Sequence, residues 1–156
     1  MKKIFFFFTL VIHNLIVAQT LSTEVRLRVK NFNTDKSGIA LQGYDPVNYF
    51  LGTAKTGSSA YSYNYNGITY RFVSEKNMAL FKASPAKFEP VYGGWCAYAM
   101  GATGEKVEVD PETYKIIDGK LYLFYNAFFN NTLPKWNKDE KNLTKKANEN
   151  WLKLNK

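Results

Sequence analysis

The chain has 156 residues, a formal net charge of +8, one cysteine, one histidine and a ring-rich composition of 12 Phe, 11 Tyr and 3 Trp. A lone cysteine excludes an internal disulfide, and the only histidine, His13, falls in what reads as a leader, so the rest of the chain has no imidazole for metal, acid–base or Cys/His chemistry. The charge does not point to nucleic acid: Lys135, Lys138, Lys141, Lys145, Lys146, Lys153 and Lys156 are interleaved with Asp139, Glu140 and Glu149, as on a solvated helix face. Attraction to anionic lipid or cell-wall polymer is compatible with it.

Met1-Lys2-Lys3, an apolar run from Ile4 to Val17 and then Ala18-Gln19 have the three-part form of a secretory signal peptide. Thr9, His13 and Asn14 interrupt the run, which is too short for a good membrane span, although a retained anchor is the rival reading. Cleavage after Ala18 removes 18 of the 156 residues and leaves 138, one domain over residues 19–156. The expected location is outside the cytoplasm, periplasmic or secreted, with no membrane span once the leader is gone.

Val25, Leu27 and Val29 alternate with Arg26, Arg28 and Lys30, which predicts a strand with one wet face. Gly43-Tyr-Asp-Pro46 is a turn. Tyr61, Tyr63 and Tyr65 alternate up to Asn66-Gly67, and Ile68, Tyr70 and Phe72 alternate after it, which predicts a β-hairpin. Ser74 is placed to cap a short helix carrying Met78 and Phe81, and Pro85 opens a second. Val107 and Val109 suggest a short strand, and Asp110-Pro111-Glu-Thr113 a turn. Asp118-Gly119 joins a second hairpin between Tyr114–Ile117 and Leu121–Phe124. A short helix is expected over Asn126–Asn131. Thr132 then caps a long amphipathic helix that presents Trp136, Leu143, Ala147 and Trp151 on one face. The fold class is α+β: small antiparallel hairpins, short helices, and the C-terminal helix packed across them.

Chemistry concentrates in Tyr92-Gly-Gly-Trp-Cys-Ala-Tyr-Ala-Met100. On a helix Cys96 and Met100 share a face, and a thiolate with a thioether suits Cu(I). Trp95, Tyr92 and Tyr98 would wall such a site. The same residues also suit plain core, since Met and free Cys are common fillers among rings. Gly93-Gly94 suggests a tight bend that leads into a helix beginning near Cys96, where backbone N–H groups would favour a thiolate. A thiol enzyme is the third reading, but it lacks a histidine base and a second cysteine. Glu105, Glu108, Asp110 and Glu112 lie in a loop-and-turn setting that suits solvated acids better than a catalytic pair.

Gly43-Tyr-Asp-Pro-Val-Asn-Tyr-Phe50, Tyr65-Asn-Gly-Ile-Thr-Tyr-Arg-Phe-Val-Ser74, Asn77-Met-Ala-Leu-Phe81 and Ser84-Pro-Ala-Lys-Phe88 together resemble the YHS domain, a small module related to TRASH-like metal-binding domains. This likeness covers about residues 41–90. Tyr92–Met100, Asp110–Tyr114, Asp118–Leu123, Trp136–Asp139 and Asn148–Trp151 extend it, over 91–156, to exported bacterial proteins that contain the domain. Metal-binding members of the wider group carry cysteine after Asp-Pro-Val and in a Phe-Cys-Ser-x-x-Cys stretch. Here Asn48, Val73 and Asn77 stand in those places, and the family's histidine is missing. The resemblance therefore implies the fold and not the usual metal site. The expected function is an exported small binding module, with a soft metal ion such as copper held by Cys96 and Met100 as its sharpest form. A structural or protein-interaction module with an inert Cys96 is the alternative. The expected partners are a small ligand or metal ion and no nucleic acid.

Overall fold

A computed structural model describes residues 23–156, so the leader lies outside the described residues. The fold is α+β, built on small two-stranded antiparallel sheets with helices packed around them. The first sheet pairs β1 (Ser58–Tyr65) with β2 (Ile68–Phe72) through Asn66-Gly67, both at positive φ, as the alternation and the Asn-Gly turn predict. Ser74 caps α2 (Glu75–Ala83) by accepting the Asn77 N–H at 3.2 Å, and Pro85 opens α3 (Pro85–Phe88). Phe81 is fully buried and draws Tyr63, Tyr65, Tyr70, Phe72 and Phe88 around it. Rings of this size bury enough apolar area to make this cluster the centre of the first half.

The second sheet pairs β3 (Asp110–Ile117) with β4 (Lys120–Phe124) through Asp118-Gly119. The Asp-Pro turn lies inside β3 as a bulge. Asp110 pairs with Phe124 and Tyr114 with Leu123, while the Asp110 carboxylate accepts the Glu112 N–H and the Thr113 hydroxyl. The stretch 90–96 runs beside β4, where Pro90 bridges to Leu121 and Cys96 to Leu123. Between them Tyr92, Gly93 and Gly94 all have positive φ, which is the tight bend the glycines predict. It delivers the chain to α4 (Ala97–Ala102).

Four sequence expectations are corrected. Residues 23–31 form a helix, α1, rather than a strand. Val25 and Val29, four apart, sit against the open face of Gly67 at the first hairpin turn, and Arg28 reaches Glu89. A six-residue alternation is too short to resist that packing. Val107 and Val109 lie in irregular chain, although the Val107 carbonyl accepts the Cys96 N–H at 3.0 Å. Asn126–Asn131 is a miniature hairpin, β5 (Asn126–Ala127) and β6 (Asn130–Asn131), closed by the Thr132 N–H on the Tyr125 carbonyl. The C-terminal helix is two helices, α5 (Leu133–Lys138) and α6 (Glu140–Leu154), broken where Asp139 leaves helical geometry. Thr132 occupies the cap position of α5, but its hydroxyl turns elsewhere.

The predicted apolar face survives the break. Trp136, Leu143 and Ala147 are buried with Tyr122, Phe124 and Met100 in a second cluster, and Trp151 packs on its edge. This places α6 on α4 rather than across both hairpins. Gly101 makes the approach possible, since a Cβ there would stand 2.6 Å from the Leu143 carbonyl oxygen.

Candidate functional site

Cys96 comes off the Tyr92–Gly94 bend as the residue before α4, and its backbone is pinned between Val107 and Leu123. Its side chain has no exposed surface. The sulfur accepts the Tyr125 N–H at 3.3 Å and lies 3.5 Å from Thr132 Oγ1. The Thr132 hydroxyl donates its one proton to the Tyr125 carbonyl at 2.9 Å, so the Cys96–Thr132 bond takes its proton from the thiol. The result is a closed circuit of three bonds: Tyr125 N–H to sulfur, S–H to Thr132, and O–H back to Tyr125. A protonated thiol satisfies every member of it.

A pocket of about 280 Å³ is lined in part by the three residues of this circuit. Ala99, Ala102 and Val107 give it apolar walls, Tyr98 and Tyr125 add rings, and Thr132, Asn130 and Glu105 supply polar groups. Cys96 forms part of the floor, but with no exposed surface the sulfur sits behind it rather than in it.

Of the five residues singled out by sequence, the structure brings Cys96 and Tyr98 to this pocket and turns the other three away. Met100 is fully buried in the second cluster, with its carbonyl accepting the Asn150 amide at 2.9 Å. Tyr92 donates to Asn148 Oδ1 at 2.9 Å and meets Tyr122 and Trp151 edge-on, and its burial raises the phenol pKa. Trp95 donates to the Asn31 carbonyl at 2.6 Å and lies under Lys106. Cys96 and Met100 pack in separate clusters rather than as a ligand pair. Among the described residues no group of three or more His, Cys, Asp or Glu side chains is placed to hold a metal ion.

Sequence reading missed Tyr125, Asn130 and Thr132. Tyr125 and Thr132 bracket the segment expected as a helix and Asn130 lies inside it; a turn with Phe128 and Phe129 at positive φ brings all three to the pocket beside Cys96.

Asn48, Val73 and Asn77 converge in the first half of the molecule. They gather on Asp45, which is fully buried. Its Oδ1 accepts Val47 N–H at 2.8 Å and Asn48 N–H at 3.3 Å, and its Oδ2 accepts Val73 N–H at 2.8 Å and the Asn77 amide at 2.7 Å. Asn77 also reaches Asn48 Oδ1 at 3.4 Å, and Asn48 donates to Thr53. The cluster is closed by its own hydrogen bonds. Among the described residues, no buried side-chain nitrogen or oxygen lacks a partner. No protein-family model, curated protein or solved structure matches the chain.

Proposed function

We propose that the protein is an exported small binding module of YHS type, with the pocket beside Cys96 as its ligand site. The pocket itself carries the reading. It falls just below the usual range for ligand sites, roughly 300–1,000 Å³, and combines apolar walls with a few polar groups in the usual way. Such a site suits a small, mainly apolar molecule with one polar group facing Thr132 or Asn130. The YHS assignment gains support from Asn48, Val73 and Asn77, which stand where metal-binding members carry cysteine and here meet around one carboxylate. Export rests on the leader sequence.

Copper through Cys96 is the narrower form of the reading. It would require the thiol to give up its proton and its bond to Thr132. Anaerobic Cu(I) titration of wild type and Cys96→Ser decides it: equal stoichiometry in both removes the metal and leaves the pocket. The pocket is tested by titrating isotope-labelled protein with small phenols and aliphatic amides. Amide shifts at Ala99, Val107, Tyr125 and Thr132 are expected, and they should vanish in Ala102→Phe, which fills the mouth. Absence of any shift at these residues ends the ligand reading.

The second reading is a structural or protein-interaction module with an inert Cys96. The closed hydrogen-bond circuit and the buried sulfur favour it over an enzyme.

A further inference from the structure

The described chain makes three two-residue hairpin turns with both turn residues at positive φ. Two use the residues that such a turn favours, Asn66-Gly67 and Asp118-Gly119. The third uses Phe128-Phe129, with φ of 49° and 61°. Bulky residues rarely adopt this backbone, so a turn serving only to reverse the chain has no reason to carry them. The two rings are also the most exposed large apolar side chains described, at 91% and 112% of full exposure. Both departures, conformational and hydrophobic, fall on the same two residues.

We propose that Phe128 and Phe129 form a wedge that inserts into the surface of a membrane bearing anionic headgroups. Charge around the tip selects the occupant. Residues 125–138 contain no Asp or Glu, and Lys135 and Lys138 follow the hairpin directly on α5. Lys135 donates to Asn130 Oδ1 at 2.7 Å, so its ammonium is held beside the strand that leaves the tip. The acid bonded to this hairpin, Asp110, is at its base, on Asn126. Glu105, which shares the pocket wall with Asn130, accepts from Thr103. Rings at the end and lysines behind them match an interface whose acyl region is apolar and whose phosphates are negative. A protein partner or a second copy fits less well. Two rings bury roughly 300–500 Å², whereas a stable protein interface covers about 800 Å² on each side.

The test uses the full chain with vesicles of phosphatidylcholine alone or mixed with phosphatidylglycerol. The apolar leader segment is common to every variant, so the reporter is placed at the tip. In Phe129→Trp, bromine on the lipid chains should quench the added tryptophan emission by at least twofold relative to wild type, which supplies the baseline from its three native tryptophans. Quenching should be stronger in the phosphatidylglycerol vesicles and should fall in Lys135→Gln/Lys138→Gln. Phe128→Asn/Phe129→Gly keeps a favourable turn and should lower vesicle partitioning by about tenfold at matched salt. No added quenching at the tip, or equal partitioning of that variant, overturns the proposal. So does self-association in sedimentation that the same variant abolishes, which would make the occupant a second copy.

Discussion

Cys96 Sγ and Thr132 Oγ1 lie 3.5 Å apart, and the Thr132 hydroxyl in turn donates to the Tyr125 carbonyl, so one side chain ties the only thiol to the start of α5. Removing Thr132 leaves the S–H without its acceptor and the Tyr125 carbonyl without that donor. Thr132→Val is expected to cost about 1–3 kcal/mol. The native thiol should react with a maleimide at least about tenfold more slowly than in urea, because buried cysteines are structural and inert. In Thr132→Val the native rate should rise, since the local opening is less costly. Labelling of the wild type as fast folded as unfolded would mean an exposed thiol and contradict this geometry.

Asp45 accepts four hydrogen bonds from donors that are all N–H. An amide in its place sets an NH₂ group against at least one of them. Asp45→Asn should therefore destabilise by about 2–4 kcal/mol, because bonds to a charged acceptor are individually worth about 1.5–3 kcal/mol. Urea unfolding reads this directly. A change below 0.5 kcal/mol (~) would show that the network relaxes around the amide.

The sequence carries the two larger hairpins openly, because Asn66-Gly67 and Asp118-Gly119 are turn residues by chemistry and the flanking alternation is regular. Ser74 and Pro85 likewise announce their helices. The third hairpin is hidden because Phe-Phe is not a turn signal, and with it went Tyr125 and Thr132, the partners of Cys96. Residues 23–31 read as a strand and fold as a helix for a different reason. Their helical face is chosen by Gly67 and Glu89, distant in sequence, and local alternation contains no trace of either. Cys96 and Met100 share a helical spacing, but Cys96 precedes the first turn of α4 and its backbone follows β4, so the two side chains enter different clusters.

Tyr49 and Tyr70 are buried and donate to the Pro111 carbonyl and to Glu89, while Tyr92 donates to Asn148. Burial raises the pKa of all three phenols, and at Tyr70 the neighbouring Glu89 adds to the rise while Arg28 opposes it. An unfolded tyrosine ionises near pH ~10. Above that pH the unfolded chain loses protons that the folded chain still holds, so stability falls as pH rises. The expected slope is about 1.4 kcal/mol per pH unit for each tyrosine, hence roughly 4 for the three together. Urea midpoints measured from mildly alkaline pH to about pH 11.5 should drop steeply past ~10, and Tyr49→Phe should make the slope shallower by about 1.4 kcal/mol per pH unit. A flat profile across this range would contradict the burial.

Phe128 and Phe129 put a conformational cost on the folded state that Asn-Gly does not, since both occupy the left-handed region. That cost is of order 1–3 kcal/mol for each residue. Glycine regains part of it through the greater freedom of the unfolded chain. The rings return little in exchange, because Phe129 is fully exposed and Phe128 nearly so. Phe128→Asn/Phe129→Gly should therefore raise the melting temperature by roughly 3–6 °C, in the absence of lipid. The variant proposed to lose vesicle binding is thus expected to be the more stable protein, which separates lost contact from lost folding. A lower melting temperature would mean that the two rings support the fold, and would remove the reason for assigning them an external partner.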